Sequence, residues 1–145
     1  MRNIFIFMMM MFSVCLFAKQ YASPLMEALE RRDVKKAIEL INSGADINSK
    51  DRMGETPLIE AAEEGLTEVV QILVDKKVNL NVGNVRNRTA LSRASSRGHV
   101  EIVRILVKAG ADINIKDKYG RSALNYASAR NHKEIVSILK NAGAR

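Results

Sequence analysis

The stretch GETPLIEAAEEG, Gly54 to Gly65, returns as NRTALSRASSRG, Asn87 to Gly98, and as GRSALNYASARN, Gly120 to Asn131, each copy beginning 33 residues after the last. The apolar letters are kept: Leu58, Leu91 and Leu124 coincide, as do Ala61, Ala94 and Ala127. The charged letters invert, with Glu55, Glu60 and Glu64 becoming Arg88, Arg93 and Arg97. Self-similarity at a period of this length signals stacked copies of one supersecondary unit. Registers begin at Asp51, Asn84 and Asp117, giving units 51–83, 84–116 and 117–145. An earlier unit runs over 24–50, with Leu25, Ala28, Gly44, Ala45, Asp46 and Asn48 in phase.

Each unit reads as two helices. The first starts at Pro57, whose missing N–H would be unpaired in a first turn anyway, with Thr56 placed to cap it. It ends at Gly65, Gly98 or Asn131, residue types that accept a left-handed conformation. The second carries Val69, Val70, Ile72 and Leu73, repeated as Ile102, Val103, Ile105 and Leu106, then as Ile135, Val136, Ile138 and Leu139. That spacing lays an apolar face toward neighbouring helices. At the ends the pattern turns polar: Lys36 stands in the place of Val69 and Glu39 in that of Ile72, while Ser137, Lys140 and Asn141 occupy the last helix. Terminal units of a stack need one wet face.

In these residues the chain resembles the ankyrin repeat family. Its signature T-P-L-H-x-A is echoed by TPLIEA at Thr56 to Ala61, and its closing phrase by GADIN at Gly44 to Asn48 and Gly110 to Asn114. The resemblance implies an all-α solenoid over 19–145, with helix pairs joined by hairpin-like turns whose tips and first helices form a concave recognition surface. It also implies a protein-binding module that catalyses nothing. Two departures matter. The motif His is replaced by Ile59, Ser92 and Asn125, and Lys77 stands where other units have Gly44, Gly110 and Gly143. That position is expected to need positive φ, at a cost of about 1–2 kcal/mol for a residue with a Cβ. With VNLNVGN following at Val78 to Asn84, the second and third units are expected to meet at the weakest interface.

Composition agrees with thin, repetitive packing: 145 residues, 47% hydrophobic, 5% aromatic and no Trp. At the start, Arg2 precedes the apolar run Ile4 to Phe17, and Ala18 offers a cleavage point before Lys19. Residues 1–18 therefore read as a cleaved signal peptide, because the run falls short of the roughly 20 residues that span a bilayer. Cys15, the only cysteine, would leave with it, and Val14 is too large for lipoprotein processing there. The mature chain would form no disulfide and keep no membrane span. The family's usual home is the eukaryotic cytosol or nucleus, so a short export signal argues for a bacterial periplasmic or secreted protein.

Catalytic and metal chemistry find no foothold. His99 and His132 each follow a helix end, with no ligand-type residue at metal spacing beside them. Glu63 and Glu64 are neighbours on a helix and read as a solvated acidic face. No phosphate-binding glycine loop appears, so no cofactor and no small-molecule substrate are expected. NRT at Asn87 to Thr89 fits a glycosylation acceptor, but Asn87 also replaces the turn glycines Gly54 and Gly120.

Charge is the remaining signal. The formal net charge is +7, distributed as +1 over 19–50, −4 over 51–83, +5 over 84–116 and +4 over 117–145, with Arg2 supplying the remaining charge. Equivalent positions form the rows Glu55/Arg88/Arg121, Glu60/Arg93/Tyr126 and Glu64/Arg97/Arg130. They can serve as inter-repeat ion pairs worth about 0–1 kcal/mol each, or as a binding surface. Carried over from the family's pattern, that surface has a basic part of Arg86, Arg88, Arg97, Lys118, Tyr119, Arg121 and Arg130. Arg52, Met53, Glu55, Glu63 and Glu64 make its acidic part. The expected partner is another protein with an acidic surface, and a role as accessory or inhibitor of a periplasmic enzyme fits the same residues. Nucleic acid and acidic envelope polymers are disfavoured by the acidic unit and by Tyr119 being the only aromatic at a turn tip. If the export reading holds, mass spectrometry of the natively purified protein will find an N-terminus at Lys19 or within a few residues of it. An intact Met1, or a lipid on Cys15, would reject soluble export.

Overall fold

The computed structural model describes residues 23–145. The signal-peptide reading for 1–18 lies outside the described residues. Among the described residues there are eight helices and no strands. They are α1 (Pro24–Glu30), α2 (Val34–Asn42), α3 (Pro57–Glu64), α4 (Thr67–Asp75), α5 (Ala90–Arg97), α6 (Val100–Lys108), α7 (Ala123–Ala129) and α8 (Lys133–Asn141). Consecutive helices pack as pairs. The first helices α1, α3, α5 and α7 contact one another in order, as do the second helices α2, α4, α6 and α8. The result is a two-layered helical solenoid.

The retained apolar letters explain the layers. Ala61, Ala94 and Ala127 are completely buried, and an alanine at that place lets first helices lie close together. Between the layers, Val69, Val70 and Leu73 are sealed, as are Ile102, Val103 and Leu106, then Ile135 and Leu139. The helix starts are capped as expected. Thr56 Oγ1 accepts from Ile59 N at 3.2 Å, with Pro57 at the first position. Ser92 and Asn125, which replace the motif histidine, each close a reciprocal capping box, with Thr89 and Ser122 respectively. Ile59 makes none and is buried instead.

The histidines couple neighbouring pairs. His99 Nε2 lies 2.9 Å from the Glu63 carbonyl oxygen, and His132 Nε2 lies 3.2 Å from that of Ser96. A carbonyl only accepts, so Nε2 is the protonated nitrogen. Each ring covers the glycine that ends the preceding first helix. A Cβ on Gly65 would stand 2.7 Å from His99 Cε1, and one on Gly98 the same distance from His132 Cε1. Where Arg32 takes the glycine's place, at φ 57°, Leu66 stands where the histidine would. The Arg32 guanidinium instead reaches forward and donates to the Glu64 carbonyl at 2.8 Å, at the end of α3. At the N-terminal edge Lys36 and Glu39 are exposed and paired at 3.2 Å.

The junction after Lys77 keeps the common path. Lys77 sits at φ 60°, as Gly44, Gly110 and Gly143 sit at φ 90–95°. Asn79 does the work of the missing Asp: its Oδ1 accepts from Asn81 N at 3.0 Å, as Asp46 accepts from Asn48 and Asp112 from Asn114 at 2.9 Å. Asn81 Oδ1 in turn accepts from Asp112 N at 2.8 Å. The expectation of a loose second-to-third junction therefore needs correcting on its first-helix side, which is laced by the ion pairs described below. On the outer side α4, α6 and the turn at Lys77, Val78 and Leu80 line an open groove of about 650 Å³. No heavy atom lies within 4 Å of a Cβ built at the equivalent Gly44 or Gly110, so no packing gain offsets the strain at Lys77. Lys77→Gly will raise unfolding free energy by about 1 kcal/mol in urea titration. No gain would mean that the left-handed backbone at Lys77 carries no strain.

Candidate functional site

The turn tips are built by one side chain each. Asp51 Oδ1 accepts from Met53 N and Glu55 N, both at 2.8 Å. Asn84 Oδ1 accepts from Arg86 N at 2.9 Å and Arg88 N at 3.0 Å, and Asp117 Oδ1 from Tyr119 N at 2.9 Å and Arg121 N at 3.0 Å. The turns close with left-handed Gly54, Asn87 and Gly120. Successive tips are tied by backbone bonds, Val85 N to Met53 O at 2.9 Å and Lys118 N to Arg86 O at 3.0 Å. This fixes a rigid row.

Behind the tips lies the reason for the charge inversion. Glu55 Oε1 accepts from Asn84 Nδ2 at 2.8 Å and from Arg93 at 2.6 Å. One unit later, Arg88 faces Asp117 at 3.6 Å and lies over the Tyr126 ring, 5.2 Å from its centroid. The partners are thus diagonal, reaching from one tip to the turn residue and first helix of the next unit. An Asp in place of Asn84 would set two carboxylates together, which explains the Asn. The Tyr126 hydroxyl donates to Asp117 Oδ2. Burial works to raise the Asp117 pKa, but that hydroxyl, the Arg121 and Tyr119 amides and Arg88 outweigh it and hold the carboxyl below its ordinary value. Burial, then the Asp117 hydrogen bond, pushes Tyr126 up, so the proton stays on the phenol.

This geometry divides the expected binding residues. Glu55 is 7% exposed, and Arg88 is mostly covered by Tyr126 and Asp117, so neither belongs to a binding surface. Glu63 is not a solvated acid: its carboxylate, 13% exposed, is held by Arg93 at 2.8 Å and Arg97 at 2.5 Å. Glu64 pairs with Arg32 at 3.5 Å. Arg97, Arg121 and Arg130 are exposed, Arg97 through its bond to Glu63 and Arg121 beside Tyr126 at 5.9 Å. The remaining tip residues come together as a surface: Arg52, Met53, Arg86, Lys118 and Tyr119 are all exposed. Val85 joins them at 45% exposure, between Met53 at 49% and Tyr119 at 62%. It was legible in the repeat, since it stands at the phase of Arg52 and Lys118. Of the carboxylates in the three tips, Glu55 and Asp117 are buried and Asp51 is half-buried, bonded to the amides of its own turn.

Among the described residues, no group of three or more His, Cys, Asp or Glu could hold a metal ion, and no helix is long and apolar enough to cross a membrane. Paired helices stacked in two layers, with rigid turns along one edge, define a helical repeat protein. A family model for ankyrin repeats, in three copies, matches residues 25–117 and 81–145. The chain belongs to the ankyrin repeat family, whose repeats generally mediate protein–protein interaction and are typically not enzymatic. A search of curated proteins returns no match.

One carboxyl on the first-helix face is crowded by other carboxylates. Burial, then Glu63, Glu30, Glu55 and Glu64, pushes Glu60 up to about 7 from 4.5. The folded chain then binds more protons than the unfolded one across that window, so stability falls as pH rises from 4.5 to 7. Glu60→Gln removes this loss. Discounted for solvent screening at a half-exposed site, the variant gains about 1–2 kcal/mol over the parent above pH 7, and nothing below pH 4.5, in denaturant titrations.

Proposed function

We propose that the chain is an exported, non-enzymatic binding module whose tip row engages a protein with an acidic surface. The observation that carries this reading is the composition of the row. Met53, Val85 and Tyr119 expose apolar area at consecutive tips, with Arg52, Arg86, Lys118 and Arg121 beside them and no exposed carboxylate. Interfaces of this kind draw binding energy from aromatic and Met anchors, and orientation from surrounding charge. The backbone ties between tips favour binding further, since a row that is already ordered has little conformational entropy left to lose. Export rests on the apolar run Ile4 to Phe17 before Ala18.

The test must spare the residues that hold the stack together. Arg88 and Arg97 are excluded, because reversing them would put carboxylates against Asp117 and Glu63. The triple variant Arg86→Glu, Lys118→Glu, Tyr119→Ala will keep the parent's circular dichroism and melting temperature. It will lose the protein captured from a periplasmic extract, with affinity down by more than about tenfold. A polyanion ligand would instead show affinity falling steeply and linearly with salt on a log–log plot, indifferent to Tyr119. Unchanged capture by the triple variant would leave the tip row a solvated edge and end the reading.

A further inference from the structure

The first-helix layer carries its charge in blocks. Glu27 and Glu30 lie on α1, Glu60, Glu63 and Glu64 on α3, and Arg93 and Arg97 on α5, with Arg130 just past α7. Most of these find partners at short range. Glu27 pairs with Arg31 at 2.8 Å, Glu64 with Arg32, and Glu63 with Arg93 and Arg97. Among the described residues, what remains is polarised: Glu30 and Glu60 at one end, and at the other Arg130 and the open side of Arg97.

Glu30 and Arg130 cannot neutralise each other within one molecule, and Arg97, one helix from Glu60, is bound to Glu63 instead. α1 and α7 are three helix spacings apart, about 25–30 Å, well past a Debye length of about 8 Å at physiological salt. The exposed positions of α7 are Asn125, Ser128 and Ala129, short side chains that leave the face open to close approach. A two-fold axis between α3 and α5 brings α1 of one molecule over α7 of another, and α3 over α5. Any parallel alignment sets acid on acid.

We propose that the first-helix face pairs with a second copy of itself, antiparallel, with Glu30 opposite the second copy's Arg130 and Glu60 opposite its Arg97. The contact is isologous, as a C2 interface must be, so each pair occurs twice. It is independent of the tip row, which stays open at the edge. Glu60 also gives the contact a pH signature. Within the chain it faces Glu30 from α1, Glu55 from the tip and Glu63 and Glu64 on its own helix, while Arg93 is committed to Glu55 and Glu63, and Arg32 to Glu64. A cation arriving from outside favours the ionised form, so association releases protons and tightens as pH rises toward 7.

Sedimentation equilibrium on the purified native protein tests this. The parent will dimerise at low salt, weaken with added salt, and associate more tightly above pH 7 than at pH 5. Glu30→Arg and Arg130→Glu, both at exposed sites, will each lower the association constant by at least about tenfold, because each places like charges at both symmetric contacts. Mixed in equal amounts they will form a heterodimer, since both contacts then join opposite charges. Glu60→Gln will abolish the pH dependence. A parent that stays monomeric at low salt up to millimolar concentration, or a mixture no tighter than either variant alone, overturns the proposal.

Discussion

Each unit of this protein has to match the next unit's turn. The side chain at the tip's fifth position, Glu55 or Arg88, reaches 29 residues ahead to Asn84 or Asp117, and toward the first-helix residue beyond, Arg93 or Tyr126. The turn position is confined to Asn or Asp, since each is already spent holding its own tip by two backbone bonds. The tip residue is the letter that can change sign. Opposite an amide and an arginine it must be acidic, and opposite a carboxylate and a tyrosine it must be basic. The inversion from Glu to Arg between units is therefore a matching rule applied twice with different partners.

A second rule binds neighbouring pairs on the side of the histidines. A ring stacked on a glycine needs both the missing Cβ and the left-handed turn that a glycine accepts, so Gly65 with His99, and Gly98 with His132, change together or not at all. At the first junction Arg32 and Leu66 replace both members. The N-terminal pair thus attaches by a different contact from the others, a guanidinium on a helix-end carbonyl. An exposed side chain in that role gives a softer joint than a packed ring, which suits an end that is also polar at Lys36 and Glu39.

Much of this was legible in the sequence. Period, helix starts, capping residues and left-handed positions follow from local chemistry: Thr56 and Pro57 act within the first turn they start, and Gly65 and Asn87 mark left-handed backbone. Lys77 shows the limit of local reading. Its positive φ could be foreseen, but a loose junction did not follow, because Asn79 rebuilds the turn and Glu55, Glu63, Arg93 and Arg97 link the units from the other side. The site was legible by position and illegible by exposure. Rows drawn at equal phase pair Glu55 with Arg88, whereas the side chains reach diagonally, and no periodicity reports which long side chain bends inward. Tyr126 was hidden for the same reason, lying beneath Arg88.

The diagonal pairing also decides where function can reside. Charges at the centre of the first-helix layer are committed to holding consecutive units, so changing them alters stability before it alters recognition. The tips differ, because each turn is held from within by its Asp or Asn and tied to its neighbour through the backbone, while the second and third positions of every tip are exposed. Those positions hold Arg52 and Met53, Val85 and Arg86, Lys118 and Tyr119. All six are cationic, aliphatic, thioether or aromatic. A merely solvated edge has no reason to exclude carboxylates and to expose Met53, Val85 and Tyr119 together. The same separation of tasks lets the edge vary without disturbing the stack behind it.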